Sequence, residues 1–565
     1  MKQKMNIVSK EYVIVCVFSL FIAGVFIAPF LSKGYLVYGD DLHYQLSRIK
    51  EIAGWFQNGQ FNFPGISTNS FYLIGYGVNI FYPWLTLSLF SMVSLLVKNP
   101  VTAVYVGFYL YTFITALIAY WCMKRFSQSQ VASAAFSMFY TFSIYRTIDG
   151  FTRFALAEFI ALTFLPLILL GSYEVLYGNK KYWVAVTIGF SLIVYTHVLS
   201  AFLACLYLFI FWGISLFFIK ERVKRSLVLL FSGIISIFAS AAYLFGFVEE
   251  QTFQVFLQPS PMDLVGDNLK ELVFRSFSND LMQSSLGGLY NIGFIYILIL
   301  LAGVFFLKEM TRTYKIIYGL GIATFLMTTN LFPWQLLQQT PLSVIQFPFR
   351  LMIFPTLFAS LTGANLIKIF SEKLHRKVKL SVLIGTLLAC FIPWLFSVNE
   401  MLEKASRFEF DTGTIFFSDP EDRFSMWIDQ YVPEKSQLYL EDIYQHVGYL
   451  DNQALTMKPT SAKQRIMFEV KTNQKQTEVD LPIIRYKNTA VMLNGKQVSS
   501  TLSERGTVQF LVPEGTNKIE VQYVASAMIT SGVSLSILTW LLLIGYLVFI
   551  VRKKSARRSQ SVERD

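Results

Sequence analysis

Charge is scarce in this chain: 15% of its 565 residues are Asp, Glu, Lys or Arg, against about 25% in soluble domains. With 54% hydrophobic residues, 54 of them Phe, and a mean hydropathy of +0.49, that shortage excludes an ordinary soluble globule and points to lipid. Cysteine is scarce too. Cys16, Cys122, Cys205 and Cys390 all lie in or beside apolar runs, so the polar part of the chain has no disulfide framework and no cysteine-rich metal site. No internal repeat is visible. The net charge of +12 could suit nucleic acid, but its distribution excludes that partner. The basic residues form short clusters between apolar runs, which is the pattern of cytoplasmic loops.

What the sequence does have is long apolar runs, and a span needs about 20 such residues. The first, Tyr12 to Leu31, follows Lys2, Lys4 and Lys10. No small-residue cleavage site follows it, so it reads as an uncleaved signal anchor. Further candidates centre on 101–122, 131–148, 158–177, 183–198, 199–219, 226–247, 289–307, 315–331, 351–370, 379–397 and 528–551. The run Ile80 to Val97 is ambiguous, and orientation decides it. If it lies along the membrane or re-enters it, Lys124-Arg125, Lys180-Lys181, Lys220 to Arg225, Lys308 to Lys315, Lys373 to Lys379 and the tail from Arg552 all face the cytoplasm. Counted as a span, it would put them outside. The positive-inside bias therefore predicts about twelve spans, in the cytoplasmic membrane, with both termini inside.

The expected fold class is an α-helical polytopic membrane protein with an extracytoplasmic β-rich domain before the last span. Residues 1–397 form the membrane domain, with a first outer loop at 32–100. Residues 398–527 form the outer domain, 528–551 the last transmembrane helix and 552–565 a basic cytoplasmic tail. Within the outer domain, Thr489 to Leu493 leads into Asn494-Gly495, a strong hairpin signal. Thr507 to Val512 and Lys518 to Val524 read as further strands around Pro513-Glu514-Gly515, giving a β-sandwich over 460–527.

Chemistry-bearing residues collect on the outer side. Gly39-Asp40-Asp41 stands just beyond the first span. Leu42, Leu46, Ile49, Ala53 and Phe56 recur at helical spacing, which predicts an amphipathic surface helix over 41–57 with Asp41, Gln45 and Arg48 on one face. The plain reading of Asp40 and Asp41 is an N-cap and a first-turn charge. The functional one is a carboxylate that deprotonates a hydroxyl or holds a divalent cation such as Mg or Mn. Asp149 and Arg153 are spaced as an i,i+4 ion pair. Glu158 opens an apolar span with no neutralising neighbour in sequence, and ionisable groups at that depth usually face a cavity. His197 sits at a span end, where it is an interfacial anchor or a site residue. Arg350 follows Phe347-Pro348-Phe349; it snorkels to headgroups or grips a phosphate. Two acids, two arginines and a histidine on one face suit a phosphorylated lipid.

The segment Gly39 to Ile49 resembles the first-loop motif of bacterial membrane proteins described as 6-pyruvoyl-tetrahydropterin synthase-related, also called YfhO-like. Tyr76 to Pro83, Arg153 to Glu158 with Pro166, Thr196-His197, Gln346 to Arg350, and Leu481-Pro482 with Asn494 to Lys496 continue the resemblance over nearly the whole chain. The residues do not support the zinc chemistry of the soluble pterin enzyme behind that label. His43-Tyr44 and Phe349 depart from the Phe-His and Trp of many relatives; neither removes a proposed catalytic group. The resemblance implies the GT-C superfamily of membrane glycosyltransferases, which use polyprenyl-phosphate-linked sugars and carry an acidic first-loop motif. On that expectation a sugar moves from a polyprenyl-phosphate donor to an envelope glycan or lipid acceptor at the outer face of the bilayer. Asp40 or Asp41 acts as base or metal ligand, while Arg153, Glu158, His197, Arg350 and Arg48 bind the lipid phosphate. The alternatives are a transporter or flippase of lipid-linked glycans, whose charges belong near the bilayer midplane, and a non-catalytic envelope assembly factor.

Overall fold

The computed structural model describes residues 2–60, 63, 65–256, 262–282, 288–374, 378–408, 428 and 430–562. Helix α1 (Lys2–Leu31) is followed by a two-residue strand β1 (Leu36–Val37), then α2 (Leu42–Gln57) and two short helices, α3 (Val78–Phe81) and α4 (Ser88–Leu96). At 1.5 Å per residue, α4 is about 14 Å long, less than half of a bilayer's hydrocarbon core. The apolar run 80–97 is thus no spanning helix; it packs against α2 and against α5 (Pro100–Ser127).

The chain continues through α6 (Gln130–Thr141), α7 (Ile144–Gly150), α8 (Leu156–Tyr177), α9 (Trp183–Val194), α10 (Val198–Ser215), α11 (Arg222–Ala239), α12 (Ala241–Gln251) and α13 (Leu269–Ser278). It then forms α14 (Phe294–Phe305), α15 (Arg312–Met327), α16 (Ile353–Glu372) and α17 (Lys379–Lys404). Among the described residues, seven helices are long and apolar enough to cross a membrane, or up to eight if the α11–α12 pair, bent by 74°, counts as one. The remaining expected spans are interrupted. The run 131–148 breaks between α6 and α7 at Phe142-Ser143, and 183–198 loses its helix at Tyr195 to His197. Helices α9 and α14 have 12 residues each, about 18 Å. Burial separates the long helices: the apolar window of α8 is 83% buried and that of α16 72%, whereas the last helix, α19 (Ala527–Val562), is 17% buried in its window. The centre of the membrane domain is therefore α8 and α16, and these two helices carry or adjoin Glu158 and Arg350.

Beyond α17 lies β2 (Arg407–Phe408), antiparallel to β1, and later α18 (Leu440–Tyr444). The β-rich region then holds β3 (Val447–Leu450), β4 (Gln453–Thr456), β5 (Thr460–Ala462), β6 (Arg465–Thr472), β7 (Thr477–Ile484) and β8 (Thr489–Leu493). It closes with β9 (Lys496–Val498), β10 (Thr501–Leu502), β11 (Thr507–Val512) and β12 (Gly515–Tyr523). Two five-stranded sheets form, ordered β10-β11-β7-β3-β4 and β5-β6-β12-β8-β9. Among the described residues, every strand pairing within these two sheets is antiparallel. Asn494 and Gly495 sit at φ 49° and 80°, the left-handed pair that a two-residue hairpin between β8 and β9 demands. The sheets reach further back than 460, because β3 and β4 belong to the first of them.

The β-region does not have its apolar core to itself. Ile66, Phe71, Ile74, Tyr76, Val78, Ile80 and Phe81 of the first loop share one cluster with Ile466, Phe468, Val479, Leu481, Ile483, Val508 and Ile519. The backbone N–H of Ile484 donates to Ile74 O. At the end of α12, the Glu250 carboxylate accepts from the Lys487 N–H at 2.9 Å and the Tyr523 hydroxyl at 3.0 Å, and Glu249 from Asn488 Nδ2 and Ser526 Oγ. Sheets and membrane domain are thus joined by a continuous core and by buried carboxylates.

Candidate active site

Gly39 is pressed against the loop that follows α7. A Cβ there would fall 2.8 Å from Phe154 Cβ and 2.9 Å from Phe151 O, and the Asp41 N–H donates to Arg153 O at 3.0 Å. This contact puts the acidic pair beside Arg153. We expect Gly39→Ala to push the two backbones apart and displace Asp41. Any activity that depends on the placing of Asp41 should then fall about tenfold or more for a shift of a few tenths of an ångström. An unchanged rate in the purified variant would dissociate this contact from function.

Helix α2 starts at Leu42, with Asp41 at the N-cap position but making no side-chain cap bond. Asp40 is exposed. Asp41, rather than Asp40, therefore takes the N-cap position, without a side-chain cap bond. Asp41 keeps part of its surface open, yet the surrounding protein lifts its pKa from the ordinary 3.8 to about 6. Burial is the largest cause; Arg153 pulls the value down, and Glu158 and Asp40 push it up. A carboxyl raised from 3.8 to about 6 has moved most of the way towards the value an efficient general base needs at neutral pH.

The amphipathic reading of α2 needs correction. Leu42, Leu46, Ile49 and Ala53 are buried as expected, but so are Gln45, Arg48, Lys50 and Glu51. The polar face is enclosed by protein. Glu51 accepts from the N–H groups of Thr68 at 3.2 Å and Asn69 at 2.5 Å. Arg48 donates to Asn79 Oδ1 at 3.2 Å, Gln45 Oε1 at 3.4 Å, Tyr82 O at 3.1 Å and Pro83 O at 2.6 Å, with its guanidinium 4.2 Å from the Tyr82 ring centroid. Arg48 is a clamp holding the 79–83 segment to α2, and its donors are engaged within the protein.

The remaining predicted residues converge on Glu158, in the first turn of α8. Arg153 Nη1 reaches Glu158 Oε2 at 2.6 Å and Asp149 Oδ1 at 3.2 Å, the i,i+4 pair. Arg350 Nε lies 3.3 Å from Glu158 Oε1, and Tyr145 donates its hydroxyl to Oε2 at 3.3 Å. Arg350 Nη1 donates to Gln346 Oε1 and Ile345 O at 2.7 and 3.2 Å. One carboxylate thus holds two guanidiniums side by side, and rings of Phe349, Tyr290 and Phe347 flank them at 5.2–5.6 Å. Among the described residues nothing accepts from Nε or Nη2 of Arg153, nor from Nη2 of Arg350. These donors suit a bidentate oxyanion. His197 caps α10, its Nδ1 within 2.9 Å of Ser200 Oγ, and its charged neighbours are Glu158, Arg350, Arg153 and Arg48.

Among the described residues no group of three or more His, Cys, Asp or Glu is placed to hold a metal ion. The charged groups that act on Asp41 are of both signs, the guanidiniums of Arg153 and Arg350 and the carboxylates of Glu158 and Asp40.

Sequence reading missed the aromatic neighbours of the site. Tyr44, Tyr82 and Tyr431 are all half-buried; Tyr82 lies 6.1 Å from Tyr44, 5.7 Å from His197 and 6.5 Å from Tyr431, ring to ring. Tyr82 stands in a Tyr82-Pro83-Trp84 run, whose aromatics suit the membrane interface, but Tyr431 carries no local signal. Also missed was Arg146, fully buried, donating to Thr112 Oγ1 and Thr115 Oγ1 at 3.1 and 3.4 Å and lying over Phe159.

A family model described as "6-pyruvoyl-tetrahydropterin synthase related domain; membrane protein" matches residues 80–400, more than half of the chain. The match takes in Arg153, Glu158, His197 and Arg350, begins after Asp41 and stops short of the sheets. No curated protein matches the chain.

Proposed function

The chain belongs to the 6-pyruvoyl-tetrahydropterin synthase-related family of membrane proteins, and from the geometry of its site we propose that it is a glycosyltransferase of the GT-C kind. In this reading the shorter helices complete about twelve spans in the cytoplasmic membrane, both termini are cytoplasmic, and the cleft opens on the outer face. The donor is a polyprenyl-phosphate-linked sugar, and the acceptor is a hydroxyl of an envelope glycan or lipid.

One observation carries the reading: a carboxylate that no described residue engages, Asp41, faces two arginines whose spare donors are held together by Glu158. The Asp41 carboxylate takes the proton of the acceptor hydroxyl while that oxygen bonds to the anomeric carbon. The bond from that carbon to the phosphate oxygen breaks, and the lipid phosphate leaves with the electron pair. Negative charge grows on the phosphate as the bond lengthens, so donors already in place stabilise it more than the ground state. Glu158 keeps the two guanidiniums at fixed separation before substrate arrives, and His197 supplies a further polar contact at the same edge. The lipid anchors the donor, so no nucleotide-binding loop is required.

The test uses full-length protein in lipid, labelled polyprenyl-phosphate sugars and crude envelope acceptor. Wild type should transfer label, and Arg350→Gln should lower kcat/KM about 100-fold, as expected for losing one charged donor to a developing oxyanion. Labelled lipid moved between leaflets with no transfer would replace this reading with transport. Neither transfer nor movement would favour the assembly-factor reading.

A further inference from the structure

Tyr431 precedes the sheets in sequence but belongs to the cleft in space. Its ring stacks on Phe81, centroids 5.6 Å apart and planes 4° off parallel, and meets Tyr82 edge-on at 6.5 Å. The backbone is held from both sides: Tyr76 donates its hydroxyl to Gln430 O at 2.9 Å, and Tyr486 to Tyr431 O at 3.0 Å. Tyr431 itself has φ +60°, a left-handed conformation that a bulky residue adopts only when its surroundings impose it. A second left-handed stretch, Phe71 to Leu73 at φ 53–58°, brings Phe71 to 5.8 Å from Tyr44. Strained backbone on two separate segments thus serves one result, which is the placing of tyrosine rings around Tyr82.

The position of Tyr82 says what those rings receive. Its ring lies 6.1 Å from that of Tyr44, three residues beyond Asp41, and 5.7 Å from that of His197, with Arg48 over it at 4.2 Å. Its charged neighbours are Arg48, Asp41 and Glu158; it adjoins both the base and the carboxylate that holds the arginine pair. In glycosyl transfer the group between base and leaving phosphate is the sugar whose anomeric carbon reacts. The chemistry of the wall agrees. A prenyl chain seated here would desolvate the hydroxyls of Tyr44 and Tyr82, which have no hydrogen-bond partner among the described residues, and burying an unpartnered hydroxyl is unfavourable. A pyranose ring has an apolar C–H face for the electron-rich ring faces and hydroxyls for the phenols.

We propose that Tyr431, supplied by the segment leading into the sheets, completes a subsite with Tyr44 and Tyr82 that seats the donor's sugar ring against the arginine-bound phosphate. This rests on the glycosyl-transfer reading above. Tyr431 is then a specificity-determining residue for the sugar, while the arginines recognise the phosphate that all such lipids share.

The experiment is equilibrium binding to the full chain in lipid nanodiscs, comparing a labelled polyprenyl-phosphate sugar with sugar-free polyprenyl phosphate. Tyr431→Phe keeps the ring, and Tyr431→Leu removes it. The leucine variant should bind the glycosylated lipid about three- to tenfold more weakly, as for one lost aromatic contact, with affinity for the sugar-free lipid unchanged. The phenylalanine variant should stay near wild type. Equal weakening for both lipids would make Tyr431 merely structural and overturn the proposal, as would no change for either. If wild type binds the glycosylated lipid but Tyr431→Leu keeps its full preference, only the sugar subsite falls. If wild type binds neither lipid, the glycosyl-transfer reading falls with it.

Discussion

Asp41→Asn should abolish most sugar transfer while making the protein more stable, and the two effects should follow pH in the same way. A positioned general base contributes about 10²–10⁴ in rate, so transfer should fall by about 10³. In the wild type the rate should rise through about pH 6, where Asp41 loses its proton, and level off above. The stability effect has a definite sign. Burial raises the folded-state pKa from 3.8 to about 6, so protonated Asp41 favours the folded state below pH 3.8. That contribution is lost as pH rises through 6. At pH 8 the wild type therefore carries an ionised, poorly solvated carboxylate at a cost on the order of 1–3 kcal/mol, which asparagine removes. The melting temperature of Asp41→Asn should exceed wild type at pH 8 and match it near pH 4. An equal melting temperature at both would mean that Asp41 is well solvated and holds no poised proton.

Glu158→Gln should have the larger effect on the fold. The substitution removes the carboxylate that contacts Arg153, Arg350 and Tyr145 at 2.6, 3.3 and 3.3 Å. Two buried guanidiniums are left with Asp149 as the one remaining acid in contact with either, among the described residues. Breaking a buried pair by deleting one partner costs about 3–5 kcal/mol, so a steep loss of thermal stability in detergent is expected together with loss of transfer. Glu158→Asp should not rescue either property, because a side chain one methylene shorter cannot reach both arginines. The double variant Glu158→Gln/Arg350→Gln deletes one charge of each sign and should recover part of the stability lost in the single variant, which a thermodynamic cycle reads directly. Strictly additive losses would show that the two residues do not act as a unit.

Much of this site was legible in the sequence because its members sit in short local patterns. Gly39-Asp40-Asp41, Arg153 with Glu158, Thr196-His197 and Arg350 after Phe-Pro-Phe each announce an ionisable group at an apolar boundary, and the fold brings them together. The hairpin at Asn494-Gly495 was legible for the same reason, since two consecutive left-handed residues need that dipeptide. Arg48 shows where local patterns stop. Its spacing puts it on the face of Asp41, but only tertiary structure reveals that Asn79 and two carbonyls take up its donors. Tyr431 and Phe71 have no periodic or motif signal, because what fixes them is contact between segments several hundred residues apart. Span lengths fail differently. A hydropathy window counts apolar side chains and does not register the breaks at Ser143 and Thr196, which leave α6, α7 and α9 too short to cross alone, or the break at Ser240, where α11 and α12 meet at a 74° bend.

The shared core of first loop and sheets also bears on how the molecule is made. The backbone N–H of Gly77 donates to the hydroxyl oxygen of Tyr486, 409 positions later in the chain. At about 5–20 residues per second, synthesis delivers the sheets roughly 20–80 s after residues 66–81. Throughout that interval Phe71, Ile74, Ile80 and Phe81 lack the sheet residues that share their core. A nascent chain interrupted before the final strands therefore exposes an uncovered apolar loop, which is the form that quality-control chaperones and proteases bind. Truncations near the C-terminus should consequently reduce cellular abundance, although they leave every charged residue of the cleft in the chain.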